Sequence, residues 1–249
     1  LIASQLLSDG FSAAVYLVRY YYCVLNKKIS TTFGDLKSIA LEYKDFPSFT
    51  LPATFIDVIS QQLPILMIAA FFSSGMSGSY FFALRIMAAP AVLIGFAYSQ
   101  TFFQKFTAYI KESNYKAAKK FLYRSWLLLF ALICVPAIIL IFWSVPLFSF
   151  IFGSDWSQSG TIASILIFYV VFSFISSPTS STYVALRMQR YSLFFGVAVL
   201  IYRFSSFYIG YLMNDFYLAL KILVICEVTE IVIYNSVAIM KIRLMSVKG

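Results

Sequence analysis

Seven times along the chain, a run of mostly apolar residues reaches the roughly 20-residue length that a helix needs to cross the hydrocarbon core of a bilayer. The runs fall near 2–22, 47–72, 79–103, 125–150, 160–184, 192–212 and 217–240. In lipid the backbone must satisfy its own hydrogen bonds, which leaves helices or closed barrels. The alternating segments of a barrel strand are not seen, so helices are expected. Composition agrees: 61% of residues are apolar and 12% charged. That charged share is about half that of a soluble domain, and a soluble chain of this size has too much surface to hide so much apolar area. The expected fold is all-α, a polytopic membrane bundle of about seven transmembrane helices. The first run does not read as a signal peptide, because it contains Asp9 and ends rather than begins with a cation, Arg19. With no initiator Met and an odd number of spans, the chain reads as a piece of something longer.

The absence of His excludes Ser–His–Asp and Cys–His catalysis and His-based metal sites. Cys23, Cys134 and Cys226 are scattered, with no C-x-x-C spacing, so neither a disulfide nor a zinc framework is expected. No cofactor and no catalytic residue is assigned, and the chain is read as a non-enzyme.

Charge placement orients the spans. The connection 23–46 holds Lys27, Lys28, Lys37 and Lys44, and the connection 104–124 holds Lys105, Lys111, Lys116, Lys119, Lys120 and Arg124. Arg187 and Arg190 follow in the next alternate loop, with Lys241, Arg243 and Lys248 in the tail. These are fifteen of the nineteen cations, all on one side; the opposite connections, Ser73–Ser79, Gly153–Ser159 and Met213–Phe216, have none. The positive-inside rule puts the basic side and the C-terminus in the cytoplasm. The formal net charge of +9 thus reports topology rather than a nucleic-acid partner. Phe106, Tyr109, Ile110, Phe121 and Leu122 give 105–124 an amphipathic pattern, suited to lying along the inner interface among membrane lipids.

Four cations remain in the spans. Arg19 and Lys221 sit near span ends, where long side chains reach the interface. Arg85 and Arg203 lie deeper. An Arg at mid-bilayer costs about 2.5–3.5 kcal/mol even on the insertion scale, so it faces a partner or a wet cavity. Two readings stand for this pair: a shared anionic ligand, or structural pairing with carboxylates. The carboxylates available are Asp57, Glu227 and Glu230, with Asp9. Glu227 and Glu230 are three apart on one helix face; Thr54, Asp57 and Gln61 form another polar stripe. These acids either neutralise the arginines or couple transport to a cation. The hydroxyl run from Ser173 to Thr182 around Pro178 fits helix packing in lipid. Pro52, Pro64, Pro90, Pro136 and Pro178 lie within spans and invite bends.

The order of local motifs carries a resemblance. Phe46-Pro47-Ser-Phe-Thr-Leu51-Pro52 leads to Ser60-Gln61-Gln62-Leu63-Pro64, then to Gly78-Ser-Tyr-Phe-Phe-Ala-Leu-Arg85-Ile-Met-Ala-Ala-Pro90 and Ser99-Gln100-Thr-Phe-Phe-Gln104. Phe152-Gly153-Ser-Asp-Trp156-Ser-Gln-Ser-Gly160 and Ser176-Ser-Pro178 follow. Over about residues 1–245 the chain resembles the second half of bacterial polysaccharide-biosynthesis flippases, the oligosaccharide-flippase branch of the multidrug/oligosaccharidyl-lipid/polysaccharide exporter superfamily. The resemblance implies two six-helix lobes around a cationic cavity, and outward passage of undecaprenyl-pyrophosphate-linked sugars by alternating access. It implies a helix at 1–22 ending a first lobe, a cytoplasmic linker at 23–46 and a six-helix C-terminal lobe at 47–245. The partners implied are a lipid-linked oligosaccharide (O-antigen or capsule type), the absent N-terminal lobe and polysaccharide polymerase machinery. The location implied is the bacterial cytoplasmic (inner) membrane.

Physical reading and resemblance meet at Arg85 and Arg203, because guanidinium holds a pyrophosphate bidentately. Gln61, Gln62 and Gln100 are the expected hydrogen-bond partners of sugar or phosphate, with Asp57, Glu227 and Glu230 as coupling or charge partners. The rival readings are a cation-coupled drug exporter of the same superfamily, a membrane glycosyltransferase or polymerase, and a scaffold protein.

Overall fold

The computed structural model describes residues 12–22 and 51–248. The chain divides into two compact units, Leu1–Lys44 and Asp45–Gly249. In the first unit, residues 12–22 form a helix, α1. The remainder of the first expected span and the whole 23–46 linker, with its four lysines, lie outside the described residues.

The second unit is built from helices: α2 (Leu51–Phe71), α3 (Ser74–Lys111), α4 (Tyr115–Phe152), α5 (Ser157–Ser176), the short α6 (Thr182–Ala185), α7 (Gln189–Leu212) and α8 (Phe216–Lys248). No strand occurs among the described residues. By length and apolar composition, four stretches can cross a membrane: Pro52–Phe71, Tyr115–Phe152, Ser154–Ala185 and Arg190–Leu212. Ser74–Ala89 and Val92–Lys111, bent by 46°, make a fifth if taken as one span. The break falls between Ala89 and Val92, where Pro90 supplies no backbone N–H to the helix. α8 follows the seventh apolar run as a helix and carries Lys221, Glu227 and Glu230 within it. The outward faces are apolar, with Leu93, Phe142 and Phe150 each more than 70% exposed. That surface suits lipid, not water. The chain is an all-α polytopic membrane bundle.

One expectation needs correction. Residues 104–124 are not a separate amphipathic connection between spans but the ends of two long helices: α3 runs to Lys111 and α4 begins at Tyr115. Their turn is only three residues long because Ser113 takes a left-handed conformation (φ 56°) and the Asn114 amide N–H bonds the Tyr109 carbonyl. Asn114 then caps α4, its Oδ1 accepting from the Ala117 N–H at 3.1 Å. Arg187 and Asn214 stop α6 and α7 in the same way. Part of the stretch faces inward: Phe106 and Leu122 are buried in a cluster with Tyr183, Leu186 and Ile242, with Tyr109, Ile110 and Phe121 packed against it.

α5 is the central helix. Half of its span is buried, against 17–22% for the other three, and it packs on α3, α4 and α8. Small residues permit this. A Cβ on Gly160 would lie 2.6 Å from the Val145 Cα and 2.8 Å from the Ser144 carbonyl oxygen, so only glycine lets α4 approach so closely. At that height α4 is kinked: Trp143 has non-helical angles (φ −125°, ψ 15°), three residues before Pro146, whose ring displaces the carbonyl four positions earlier. The five prolines singled out from sequence did not include this one.

The hydroxyl run ends α5. Thr179 Oγ1 donates to the Ser176 carbonyl and Thr182 Oγ1 to the Thr179 carbonyl, at 2.9 and 2.7 Å. Trp126 Nε1 donates to Thr179 Oγ1 at 2.9 Å, and Asn235 Nδ2 to Ser176 Oγ at 2.8 Å. These bonds tie the break to α4 and α8, which is the packing role expected of it.

Candidate functional site

The helical periods of α2, α3 and α5 each place a partly polar face against one groove of about 580 Å³. α2 supplies Asp57, Gln61 and Gln62; α3 supplies Tyr80 and Arg85; α5 and the turn after it supply Tyr169, Ser173 and Ser177. Arg203 of α7 and Glu227 of α8 complete the lining. Residues more than a hundred positions apart thus share one polar groove inside an apolar bundle.

The two arginines have different surroundings. Arg203 is nearly buried, its side chain 11% exposed, and its Nε donates to Glu227 Oε1 at 2.6 Å. Its Nη1 donates to the Ser60 carbonyl at 2.7 Å. The free state of that carbonyl follows from sequence. In a helix the oxygen of residue 60 accepts from the N–H of residue 64, and residue 64 is Pro, which has none. Pro64 leaves an orphan acceptor in lipid, and Arg203 satisfies it. Arg203 is therefore fixed between α2 and α8. Arg85 is exposed to the groove, and among the described residues no hydrogen bond or ion pair engages it.

Asp57 is held along its own helix, accepting from Gln61 Nε2 at 2.9 Å. That is the bond expected of the i, i+4 stripe. Gln62 lines the groove beside it. Two of the sequence-derived residues lie elsewhere. Gln100 is exposed on α3 and is not part of the lining. It follows Arg85 by 15 residues, about 22 Å of helix. Glu230 is half-buried one turn beyond Glu227 and does not line the groove. Tyr80, Tyr169 and Ser173 are additions to the site. The spacing of four from Tyr169 to Ser173 to Ser177 is a polar stripe the sequence offers, and the run was read only from Ser173 onward.

A second, apolar cavity of about 220 Å³ lies among α3, α4 and α5, lined by Ile86, Ile94, Leu132, Pro136, Leu140 and others. Val170 and Phe174 border both spaces. An amphiphile would find a polar compartment and an apolar one on either side of those two side chains.

Residues 1–161 match the family described as polysaccharide biosynthesis protein. The matched stretch includes Asp57, Gln61, Gln62 and Arg85, while Arg203 and Glu227 lie beyond it. Neither a curated protein nor a solved structure matches the chain. The match covers well over half of the residues, and the chain belongs to the polysaccharide biosynthesis protein family.

Proposed function

We propose that this protein is a transporter, not an enzyme. It passes undecaprenyl-pyrophosphate-linked oligosaccharide units from the cytoplasmic to the outer leaflet of the bacterial inner membrane, for surface polysaccharides of the O-antigen or capsule type. The C-terminus lies in the cytoplasm. The observation that carries this reading is Arg85, exposed in a polar groove and unengaged among the described residues. An Arg in a span calls for an anion, and a lipid pyrophosphate offers one with geometry matched to the guanidinium fork. Gln61 and Gln62 supply hydrogen bonds for the headgroup. Arg203, neutralised by Glu227, joins the headgroup only if Glu227 releases it. The adjoining apolar cavity supports the choice of a lipid-linked substrate, since it offers room for the first isoprene units beside Ile86 and Leu132.

The test is export of surface polysaccharide in a strain lacking the gene. Arg85→Ala should reduce export at least tenfold with membrane abundance within twofold of wild type, and Arg85→Lys should restore part of it. Normal export by Arg85→Ala would overturn the reading. A cation-coupled drug exporter is the second reading, favoured by Asp57 and Glu227 in the same groove. It predicts efflux of lipophilic cations, lost in Asp57→Asn, with no effect on polysaccharide.

A further inference from the structure

The first four turns of α4 carry Lys116, Lys119, Lys120, Tyr123, Arg124 and Leu127. Spacings of three and four put all six on one face, and together they line a surface groove of about 380 Å³. The opposite face is fixed in the bundle, with Ala118, Leu122, Ser125 and Leu129 buried. Lys119 Nζ lies 5.8 Å from the centre of the Tyr123 ring, and Lys116, Lys120 and Arg124 are exposed. The lining contains no carboxylate, and among the described residues none of the four cations forms an ion pair.

Such a stripe is unfavourable when left alone. Lys116–Lys120 and Lys120–Arg124 are like charges one turn apart, each pair costing about 0.2–0.5 kcal/mol in a helix. Lys116 also lies in the first turn, at the positive end of the helix dipole. An anion removes both penalties. The same helix then turns apolar, exposing Leu127, Leu128, Phe130 and Val135. A ligand seated on the cations therefore has hydrocarbon surface directly below it, which free phosphate cannot use and an acyl chain can.

We propose that this face of α4 is a binding site for an anionic membrane phospholipid. The phosphodiester sits on Lys116, Lys120 and Arg124, the Tyr123 ring lies at the interface, and the acyl chains run along Leu127 and Leu128. The site is separate from the Arg85 groove and does not depend on what that groove carries.

The test uses purified protein in detergent, titrated with short-chain phosphatidylglycerol, short-chain phosphatidylcholine or inorganic phosphate, and read by native mass spectrometry. Wild-type protein should retain phosphatidylglycerol at least tenfold better than phosphatidylcholine, and added salt should weaken it. Lys116→Gln/Lys120→Gln/Arg124→Gln should lose that preference. The charge-conserving Lys116→Arg/Lys120→Arg/Arg124→Lys should keep it, as should Lys241→Gln/Arg243→Gln, which removes charge from the C-terminal end of α8. Equal retention of the two lipids would overturn the proposal. So would equal loss in the α8 variant, or full displacement of the lipid by millimolar inorganic phosphate.

Discussion

Arg203 and Glu227 form an ion pair 2.6 Å long in a part of the bundle where both side chains are close to fully buried. Breaking such a pair from one side leaves an uncompensated charge and costs about 3–5 kcal/mol. Arg203 also satisfies the carbonyl that Pro64 orphans, so its loss strips two acceptors at once. Arg203→Ala should therefore lower membrane abundance several-fold, as measured by quantitative immunoblot or fluorescence size-exclusion. The double variant Arg203→Leu/Glu227→Leu should recover much of that abundance, because replacing a buried pair with packed apolar groups is often neutral. If Arg203→Ala accumulates normally, the pair is not structural and Arg203 joins Arg85 as a ligand contact. The sequence offered both readings for both arginines. Nothing local separates them: the deciding partner of Arg203 lies 143 residues away at Ser60, and only the packing of α2 against α7 brings the two together.

Among the elements, the α4–α5 contact depends on the absence of a side chain at Gly160. Gly160→Leu would drive its side chain into the Val145 and Ser144 backbone, where overpacking typically costs about 1–3 kcal/mol or more. We expect its melting temperature, read by thermal shift in detergent, to fall by several degrees. Gly78→Leu, with open space at that position, should change it little. An equal effect of the two substitutions would remove the close-approach argument. The elements themselves were largely legible: runs of 20 or more apolar residues have one low-energy conformation in lipid, so the described part of 47–72 is α2 but for its last residue, and 192–212 lies within α7, which starts three residues earlier. The connections were less legible. Lys105–Arg124 is rich in charge and reads as an amphipathic connection, yet its cations sit on two long helices, with Phe106 buried and Phe121 partly so. The turn at Ser113 requires a left-handed residue, and a serine does not announce one as a glycine would. Of the site, the i, i+4 bond between Asp57 and Gln61 was visible in the spacing. The exclusion of Gln100 and Glu230 was not, because a shared helix face says nothing of where along its axis a groove ends.

At the scale of the whole molecule, the cation asymmetry can be followed through the connections between the described helices of the second unit. The short connections at 72–73, 153–156 and 213–215 carry no cation. The turn at 112–114 is flanked by Lys111 and Lys116, and the break at 186–188 contains Arg187. The orientation proposed from that split predicts that Asn214→Cys and Ser154→Cys, in a background lacking other cysteines, react with an impermeant thiol reagent added to intact cells. Ser113→Cys should react only after permeabilisation, and its labelling in intact cells would reverse the orientation. The account as a whole rests on one claim, that the groove carries a lipid-linked pyrophosphate sugar across the membrane through Arg85. Reconstituted protein should move a fluorescent undecaprenyl-pyrophosphate-linked oligosaccharide between the leaflets of proteoliposomes, measured as the fraction accessible to an external quencher. Wild type should transfer the lipid, and Arg85→Ala should do so at least tenfold more slowly. Transfer by Arg85→Ala at the wild-type rate, or none by wild type above protein-free vesicles, would contradict it.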